Sequence, residues 1–231
     1  MSKAYTSSLS RAQFELIEPL LPQAKPGGRP RSVDLFIVLN AILYVVVQGC
    51  KWRDLPGDLL PWSTAYTYFR NWRNDGTWTV LHHRVRGWVR ADAGRPESPS
   101  EAILDSQSVA TATMVNKAVG YDAGKKTKGR KRHAVVDTLG LLLCVVVTAA
   151  SLPEREGGKR VLENVSQMGQ TVARLYLIWV DGGYRGPAFT QWAMDAFRWV
   201  FLVVLRAIET KGFVLLKKRW VGDRTFGWWN W

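Results

Sequence analysis

Cysteine is scarce in this chain, which has two cysteines and three histidines in 231 residues. Cys50 and Cys144 lie in apolar runs and are interpreted as small core residues, and they provide neither a disulfide framework nor a zinc-site spacing. A signal peptide is also missing, because the first ten residues are polar. The longest apolar stretches, 35–47 and 139–150, are too short to span a bilayer comfortably. These absences predict a soluble, cytoplasmic protein.

Acidic residues are outnumbered, with 19 Asp and Glu against 32 Lys and Arg, so the net charge is +13 and the pI is about 10.0. The excess is present in both halves, because residues 1–100 carry 13 basic and 8 acidic residues and residues 101–231 carry 19 and 11. A strongly basic protein favours an anionic partner. Nucleic acid is the leading prediction, and a ribosome-like or membrane-surface protein is the alternative.

The first 93 residues predict an all-helical region that binds DNA. Helices are expected over 11–21, 33–48, 64–75 and 78–89, with Ser10 and Ser63 as N-caps. Several short helices with aromatic packing and with arginines on one face, here Arg70 and Arg73, are typical of helix-turn-helix-like DNA-binding regions. A generic helical bundle gives the same pattern.

Two segments rich in proline and glycine interrupt the helical pattern. Residues 27–31, GGRPR, predict an extended basic arm, and such arms can insert arginines such as Arg29 and Arg31 into a minor groove. A plain linker is the alternative for this segment. Residues 94–100 are the predicted linker between the helical region, 1–93, and a second domain, 101–231.

From residue 101 the pattern changes to strands alternating with helices, which predicts an α/β domain with a mixed sheet and flanking helices. Asp137 and Gly140 suit a type I turn that joins two strands in a hairpin, so Asp137 has a structural task and is not a catalytic candidate. The predicted strands cover 102–104, 133–136, 141–148, 175–180 and 201–205, and the predicted helices cover 159–173, 187–198 and 217–229.

Two carboxylates, Asp105 and Asp181, directly follow predicted strands. If those strands are adjacent and parallel, the carboxylates lie side by side at the strand ends, where functional residues collect. Adjacent like charges need a cation, and hard carboxylate oxygens suit Mg²⁺ or Mn²⁺. Asp223, with Arg219 four residues earlier on the same predicted helix face, is the candidate third acid. Taken singly, Asp105 can be a strand cap, Asp181 a turn acid and Asp223 a partner in a surface ion pair.

A cationic loop is predicted between the first strand of the second domain and the hairpin. A basic loop beside carboxylates suits a site that handles phosphodiesters with metal ions. A run of this density is also typical of a solvated protein surface. Its candidate DNA-binding residues are Lys125, Lys126, Lys128, Arg130, Lys131 and Arg132.

Four motifs follow one another in the second half, namely ILDSQSV, GYDAGKKTKGRKRHAVVDTLGLLL, IWVDGGYRG and KRWVGDRTFGW, and the first half contains GCKWRDLP and PWSTAYTYFRNWRNDGTW. Together, over nearly the whole chain, they resemble the DDE transposases of bacterial insertion sequences, in the insertion-sequence-five group. The resemblance implies a ribonuclease-H-like catalytic core that uses Mg²⁺ or Mn²⁺. It also implies hydrolysis at terminal inverted repeats, strand transfer by the freed 3′-hydroxyl, and a homodimer on double-stranded DNA.

The resemblance also implies residue roles. It makes Asp105, Asp181 and Asp223 the three catalytic, metal-binding acids, with spacings of 181 − 105 = 76 and 223 − 181 = 42 residues. Arg219 matches an arginine four residues before the third acid.

The second motif supplies two further candidates for DNA contact. Arg185 is expected to face phosphate, and Tyr184 either stacks near a DNA end or packs inside the protein. A bacterial transposase is expected in the cytoplasm, associated with the nucleoid.

Two departures from the family pattern concern the end of the chain. The family's third acid is a glutamate in a stretch resembling RWVVERTF, which here reads RWVGDRTF. Asp223 is one methylene shorter, so its helix has to sit nearer the metals, and Gly222 lowers helix propensity. The family continues beyond Trp231 with an arginine-rich helix, which predicts a truncated copy. Three functions remain open: an active transposase, a non-catalytic DNA-binding remnant, and a metal-dependent nuclease without strand transfer.

Overall fold

The structure, a computed structural model, describes residues 5–24, 27, 31–112, 114, 117–205 and 218–229. The chain divides into two compact units, residues 1–85 and 86–231. Each unit has its own hydrophobic core. Whether these units act as separate DNA-binding and catalytic domains, with 94–100 as a linker, stays a prediction.

The first unit is helical, as the sequence predicts. Ser10 begins the first helix with a capping box, because its hydroxyl accepts from the Gln13 N–H and the Gln13 side chain accepts from the Ser10 N–H. Asp34 caps the second helix, whereas Pro61, and not the predicted Ser63, is the N-cap of the third. The helices are α1 (Arg11–Ile17), α2 (Leu35–Gln48), α3 (Trp62–Asn74) and α4 (Thr77–Asp92), which runs on into the second unit, with 3-10 helices at Glu18–Leu20 and Trp52–Asp54.

Aromatic side chains fill much of the core of the first unit. The Trp72 ring is buried and lies 5.3 Å from the Trp78 ring and 5.5 Å from the Tyr68 ring, between centroids, in edge-to-face arrangements. Several of the twelve tryptophans therefore have a packing role. The buried members of this core are Phe14, Leu21, Val38, Leu39, Ile42, Trp72 and Leu81.

The second unit is built on a six-stranded mixed sheet. Its strands are β1 (Glu101–Ala110), β2 (Gly120–Asp122), β3 (Thr127–Asp137), β4 (Leu142–Ala149), β5 (Leu177–Val180) and β6 (Val200–Val203). The strand order is β2-β3-β1-β5-β6, with β4 also paired to β3. β1 is antiparallel to β3 and parallel to β5, and β5 is parallel to β6. This mixed sheet agrees with the predicted ribonuclease-H-like core.

Three helices flank the sheet, namely α5 (Glu154–Ser166), α6 (Pro187–Phe197) and α7 (Arg219–Trp228). Gly157 and Gly158 allow α5 to approach the sheet closely, because a Cβ at Gly157 would overlap the His133 ring and one at Gly158 would lie 2.8 Å from the Tyr184 ring. The core that results includes Leu104, Val135, Val161, Leu162, Val165, Ile178, Tyr184 and Phe189.

The predicted hairpin is confirmed, and Asp137 has the structural role expected of it. The Gly140 N–H donates to the Asp137 carbonyl at 3.0 Å, and the Asp137 carboxylate accepts from the backbone N–H groups of Leu139 and Leu141. The fully buried carboxylate also forms an ion pair with the buried guanidinium of Arg90. Pairing satisfies a charge that would otherwise be costly to bury.

Two predicted elements have different bounds in the structure. The first strand extends to Ala110 rather than ending at residue 104, so Asp105 lies inside β1. The reason is the antiparallel partner, because β3 pairs with β1 as far as Gly129 opposite Ala110. Helix α5 begins at Glu154 rather than at residue 159. Within the part of the chain described, no helix has the length and apolar character that crossing a membrane requires.

Candidate active site

Asp105 and Asp181 come together because their strands are neighbours. β1 and β5 run parallel with Leu104 opposite Val180, so the next residue of each strand reaches the same edge of the sheet. Asp105 is 7% exposed, and its Oδ1 accepts from the Ser106 N–H at 2.7 Å. Asp181 is the N-cap of a 3-10 helix, Gly182–Tyr184, and its Oδ1 accepts from the Gly183 N–H at 2.9 Å.

Asp223 reaches this edge of the sheet on α7. The helix is attached to the turn of the β3–β4 hairpin, because the Arg224 guanidinium donates to the Leu139 carbonyl at 2.7 Å and the Thr225 hydroxyl donates to the Gly140 carbonyl at 3.2 Å. The Arg224 side chain is held as well by two indole rings, those of Trp220 and Trp228, each with its centroid 4.7 Å from the guanidinium carbon.

Gly222 permits the close approach of α7 to β1. A Cβ at this position would lie 3.3 Å from both Cβ and Oδ2 of Asp105, and 3.5 Å from Cγ2 of Ile103. The sequence predicts that a shorter third acid needs a nearer helix. Gly222, which appears in the sequence only as a poor helix former, removes the side chain that would hold α7 away from Asp105.

The three predicted acids line one cavity of about 340 Å³, which we call the acidic cavity. Asp105, Asp181 and Asp223 come from a strand, a strand end and a helix, and long stretches of sequence separate them. The remaining lining residues are Ser106, Gln107, Ser108, Lys125, Glu154 and Phe226.

Glu154 is a fourth carboxylate that the sequence analysis missed. Its Oε1 accepts from the Ser106 hydroxyl at 3.2 Å, and Gly183 faces it, because a Cβ there would overlap the Glu154 carboxylate. The sequence signal for Glu154 was Pro153, because this proline is the N-cap of α5 and a helix begins directly after it. The Gly157-Gly158 pair within the first turns argued for a later start of the helix.

Lys125 brings a positive charge to the acidic cavity. Its ammonium group lies 3.6 Å from Glu154 Oε1 and donates to the Ser106 carbonyl at 3.2 Å. The side chain is 45% exposed. A cation in this position offsets part of the repulsion among the carboxylates.

Tyr184 packs inside the protein and does not face solvent, which is the second of its two predicted roles, so the alternative contact of this residue with DNA is corrected. Its ring is 1% exposed and lies 5.9 Å from the Phe189 ring, between centroids. Burial raises the pKa of Tyr184 well above its ordinary value, and the carboxylates of Asp105, Glu154 and Asp181 act in the same direction. The phenol therefore stays neutral beneath the acidic cavity.

The predicted cationic loop is mostly strand. β3 begins at Thr127, and its alternating side chains take different environments. Lys131 is 5% exposed, forms an ion pair with Asp122 at 3.1 Å and donates to the Leu152 carbonyl, so its predicted contact with DNA is corrected to a structural role. Arg130 and Arg132 are half-buried, and three lysines are exposed, namely Lys125, Lys126 and Lys128.

The other predicted DNA-binding residues differ in how they are held. Arg70, Arg73 and Arg185 are exposed. Arg31 donates to the backbone carbonyls of Pro22 and Gln23 at 2.9 and 3.2 Å, which holds the end of the predicted arm against the segment after α1. Arg29 and the side chain of Arg219 lie outside the described residues.

The acidic cavity fits a divalent cation by its donor chemistry, because hard carboxylate oxygens from four residues surround it. In the described arrangement, no three histidine, cysteine or acidic side chains are close enough together to hold one ion. Asp223 is the exposed member of the three predicted acids.

Known families match both units of the chain. Residues 96–230 match the family model described as the transposase DDE domain. The chain belongs to the DDE transposase family. Residues 9–82 of this transposase match a second model, for transposases of the IS4/5 family. The family matches confirm the resemblance seen in the sequence motifs.

One curated relative supports the same assignment for this transposase. It is the uncharacterized 16.2 kDa protein of insertion element IS402 from Burkholderia cepacia, which is 36% identical over 102 residues. The matched region covers 42% of this chain and 68% of the relative.

Two solved structures are similar to the transposase at low sequence identity. One is the cryo-EM structure of the piggyBac transposase synaptic complex with hairpin DNA, with a TM-score of 0.39, 11% identity, and coverage of 85% of this chain and 47% of that chain. The other is the Mos1 transposase paired-end complex with left transposon end, with a TM-score of 0.30, 9% identity, and coverage of 83% of this chain and 66% of that chain. The chain thus spans less than two thirds of either structure, and its family assignment rests on the sequence matches.

Proposed function

We propose that this chain is a DNA transposase that cuts at terminal inverted repeats and joins the freed 3′-hydroxyl ends to target DNA. The observation that carries the proposal is the acidic cavity, where Asp105, Asp181 and Asp223 meet from three separate elements. Membership of the DDE transposase family supports it. The net charge of +13 suits a polyanionic substrate.

In this proposal Asp105, Asp181 and Asp223 hold Mg²⁺ or Mn²⁺. When bound, two such ions supply activation of the attacking water or 3′-hydroxyl and stabilisation of the leaving oxygen. Glu154 completes the carboxylate wall, and its hydrogen bond from Ser106 fixes the direction of its Oε1. The remaining chemistry is the positioning of DNA by protein side chains.

Lys125 and Arg185 orient the DNA strand at the acidic cavity. The Lys125 ammonium lies at the cavity wall, within 3.6 Å of Glu154, where it can exchange the carboxylate for a backbone phosphate. Arg185 is exposed four residues after Asp181, and a guanidinium binds phosphate oxygens through two parallel hydrogen bonds. Exposed Arg70 and Arg73 on α3 are assigned to recognition of the terminal repeat. The active form is assigned as a homodimer that works on the nucleoid in the cytoplasm.

The test is cleavage of labelled DNA that carries the terminal repeats of the element, in Mg²⁺ and in Mn²⁺. The unaltered protein, Asp105→Asn, Asp181→Asn and Asp223→Glu are compared. Cutting by the unaltered protein that is lost in both Asp→Asn variants is the expected result. Cutting that survives both changes rejects the assigned site.

Two other outcomes identify the competing functions. Products that are cut but never joined to target DNA would identify a nuclease without strand transfer. Specific binding without cutting, in the unaltered protein and in Asp223→Glu alike, would identify a DNA-binding remnant. Cutting by Asp223→Glu alone would show that the shorter third acid had disabled an otherwise intact site.

A further inference from the structure

A second cavity lies at the other end of the central strands, where β1 begins. It has a volume of about 570 Å³ and is formed where β1 begins, where the β3–β4 hairpin turns and where α7 begins. We call it the cationic cavity, because four of its lining residues are basic: Arg90, Arg95, Arg174 and Lys218. Glu101 also lines it, as does the 39% exposed indole of Trp220.

Two of these four cations are already neutralised by the protein. Arg90 is buried, pairs with Asp137 and donates to the Pro96 carbonyl at 2.8 Å. The Lys218 ammonium lies 3.0 Å from Glu101 Oε2. These two ion pairs line the cavity. The net positive charge of the cavity therefore comes from its other basic residues.

Arg95 and Arg174 supply the uncompensated charge. Both side chains are exposed, and within the described part of the chain neither guanidinium takes part in a salt bridge. The residues reach the same cavity from the segment after α4 and from the segment before β5. Two guanidinium groups converging on one space form a typical binding site for a phosphate group.

We propose that the cationic cavity binds one nucleotide unit of a DNA strand, at a place separate from the acidic cavity. Arg95 and Arg174 take the phosphate, and the exposed ring of Trp220 takes the base or the sugar, because aromatic rings stack on bases of any sequence. A volume of about 570 Å³ lies within the range of about 300–1,000 Å³ that is usual for small-ligand cavities. The inference rests on the proposal that the chain acts on DNA.

The charge balance of the two cavities separates their tasks. The acidic cavity has four carboxylates and Lys125, whereas the cationic cavity has four basic side chains and Glu101. Of the residues that the structure describes, none belongs to both linings. A phosphate that enters the cationic cavity therefore adds a DNA contact without occupying the place of the cleaved bond.

The experiment measures the binding of a fluorescently labelled 15-nucleotide oligo-dT to the full chain, by anisotropy, at several salt concentrations. The double variant Arg95→Ala/Arg174→Ala is compared with Lys159→Ala/Arg160→Ala, which removes the same charge from α5 outside both cavities. Trp220→Ala tests the stacking surface. Thermal unfolding of each variant reports whether the fold is kept.

The expected result is at least about tenfold weaker binding by Arg95→Ala/Arg174→Ala, with a salt slope that is smaller by about 0.7, because the two arginines share one phosphate and each phosphate contact to a single strand contributes about 0.7. The control pair should change affinity by less than about threefold. Trp220→Ala should weaken binding by about tenfold.

Equal weakening by the two double variants, or no weakening by either, would overturn the inference while leaving the transposase proposal in place. Absence of oligo-dT binding by the unaltered chain would also overturn the inference, whereas the transposase proposal is decided separately by the cutting of terminal-repeat DNA. The two arginines are exposed, so their removal keeps the experiment decisive even if Trp220→Ala does not fold.

Discussion

The acidic and cationic cavities lie at opposite ends of the strands of one sheet and differ in the sign of their charge. Carboxylates gather where the parallel pairing of β1 with β5 ends, next to Asp105. Arginines and a lysine gather where those strands begin. The difference teaches that one sheet can keep a group of carboxylates and a group of basic side chains apart, so that neither set of charges neutralises the other.

The largest expected effect separates cutting from DNA binding. Asp105→Asn removes a charge from the acidic cavity and should lower the cutting rate by at least about 100-fold, because loss of a proposed metal ligand should exceed the 10–100-fold typical of residues that surround metal ligands. Affinity for DNA should change by less than about threefold. Cutting is measured on terminal-repeat DNA, and binding is measured by anisotropy.

If Asp105→Asn lost DNA binding as strongly as cutting, the division of tasks between the two cavities would be wrong, because the acidic cavity would then be part of the main DNA-binding surface. Asp122→Asn is not a suitable control, since the Ser108 hydroxyl, which lowers the pKa of Asp122, holds it in the structure. Asp195→Asn on α6, an exposed acid outside both cavities, is the better control.

The next effect concerns the close approach of α7 to β1. Gly222→Val should lower cutting by about 10–100-fold, because added methyl groups push against Asp105 and a misplacement of about 1 Å costs up to about 100-fold. Gly227→Val is the control on the same helix, since a Cβ at Gly227 meets nothing within 4 Å. The cutting rate and the midpoint of thermal unfolding are measured for both variants.

Equal loss of activity in the two glycine variants would point to weakened helix formation rather than to contact with Asp105. A combined Gly222→Val/Asp223→Glu variant sharpens the result further. If the longer acid reaches across the wider gap, this double variant should recover part of the activity that Gly222→Val loses.

A smaller effect is expected for the fourth carboxylate of the acidic cavity. Glu154→Gln should raise the Mn²⁺ concentration needed for half-maximal cutting by about tenfold, as for other residues that surround metal ligands. Glu156→Gln should leave it unchanged, because Glu156 is exposed and pairs with Lys159 on the same helix. An equal response of the two variants would remove Glu154 from the site.

The smallest effect concerns the imidazole in the core beside α5. Burial lowers the pKa of His133 from 6.5 to about 4, so the unfolded chain takes up a proton below pH 6.5 that the folded chain does not. Stability therefore falls as the pH falls from 6.5 towards 4, by about 1 kcal/mol between pH 7.0 and 5.5. Urea unfolding of the unaltered chain and of His133→Gln measures this difference.

The His133→Gln variant should be less stable at both pH values yet should lack this pH dependence. His82→Gln, at an exposed position, should keep it. If His82→Gln lost the pH dependence instead, the titrating group would be His82 and the assignment to His133 would be wrong.

Local sequence patterns were sufficient to predict Asp105, Asp181 and the hairpin at Asp137. Each follows or joins an apolar run, and strand ends in such a sheet are where polar groups collect. Their meeting required only that β1 and β5 be adjacent and parallel, which the structure confirms. The start of the first helix was equally accessible, because Ser10 marks it as an N-cap, whereas the third helix begins after Pro61 and not after the predicted cap Ser63.

Features that depend on distant pairing were not predictable. The length of β1 is determined by β3, whose residues Lys128 to Arg132 resemble a loop in sequence but pair as a strand. Glu154 was hidden by two glycines that serve close packing against His133 and Tyr184. The cationic cavity is assembled from residues near positions 95, 174 and 218, which no local pattern connects.

Helix α7 is part of both cavities, since Trp220 and Val221 line one and Asp223 and Phe226 line the other. A ligand that shifts the first turn of α7 therefore also shifts Asp223. Thermodynamic reciprocity then applies, because any free energy by which DNA at one edge strengthens metal binding at the other is returned equally in the opposite direction. One helix of ten residues therefore links the positions of side chains in the two cavities.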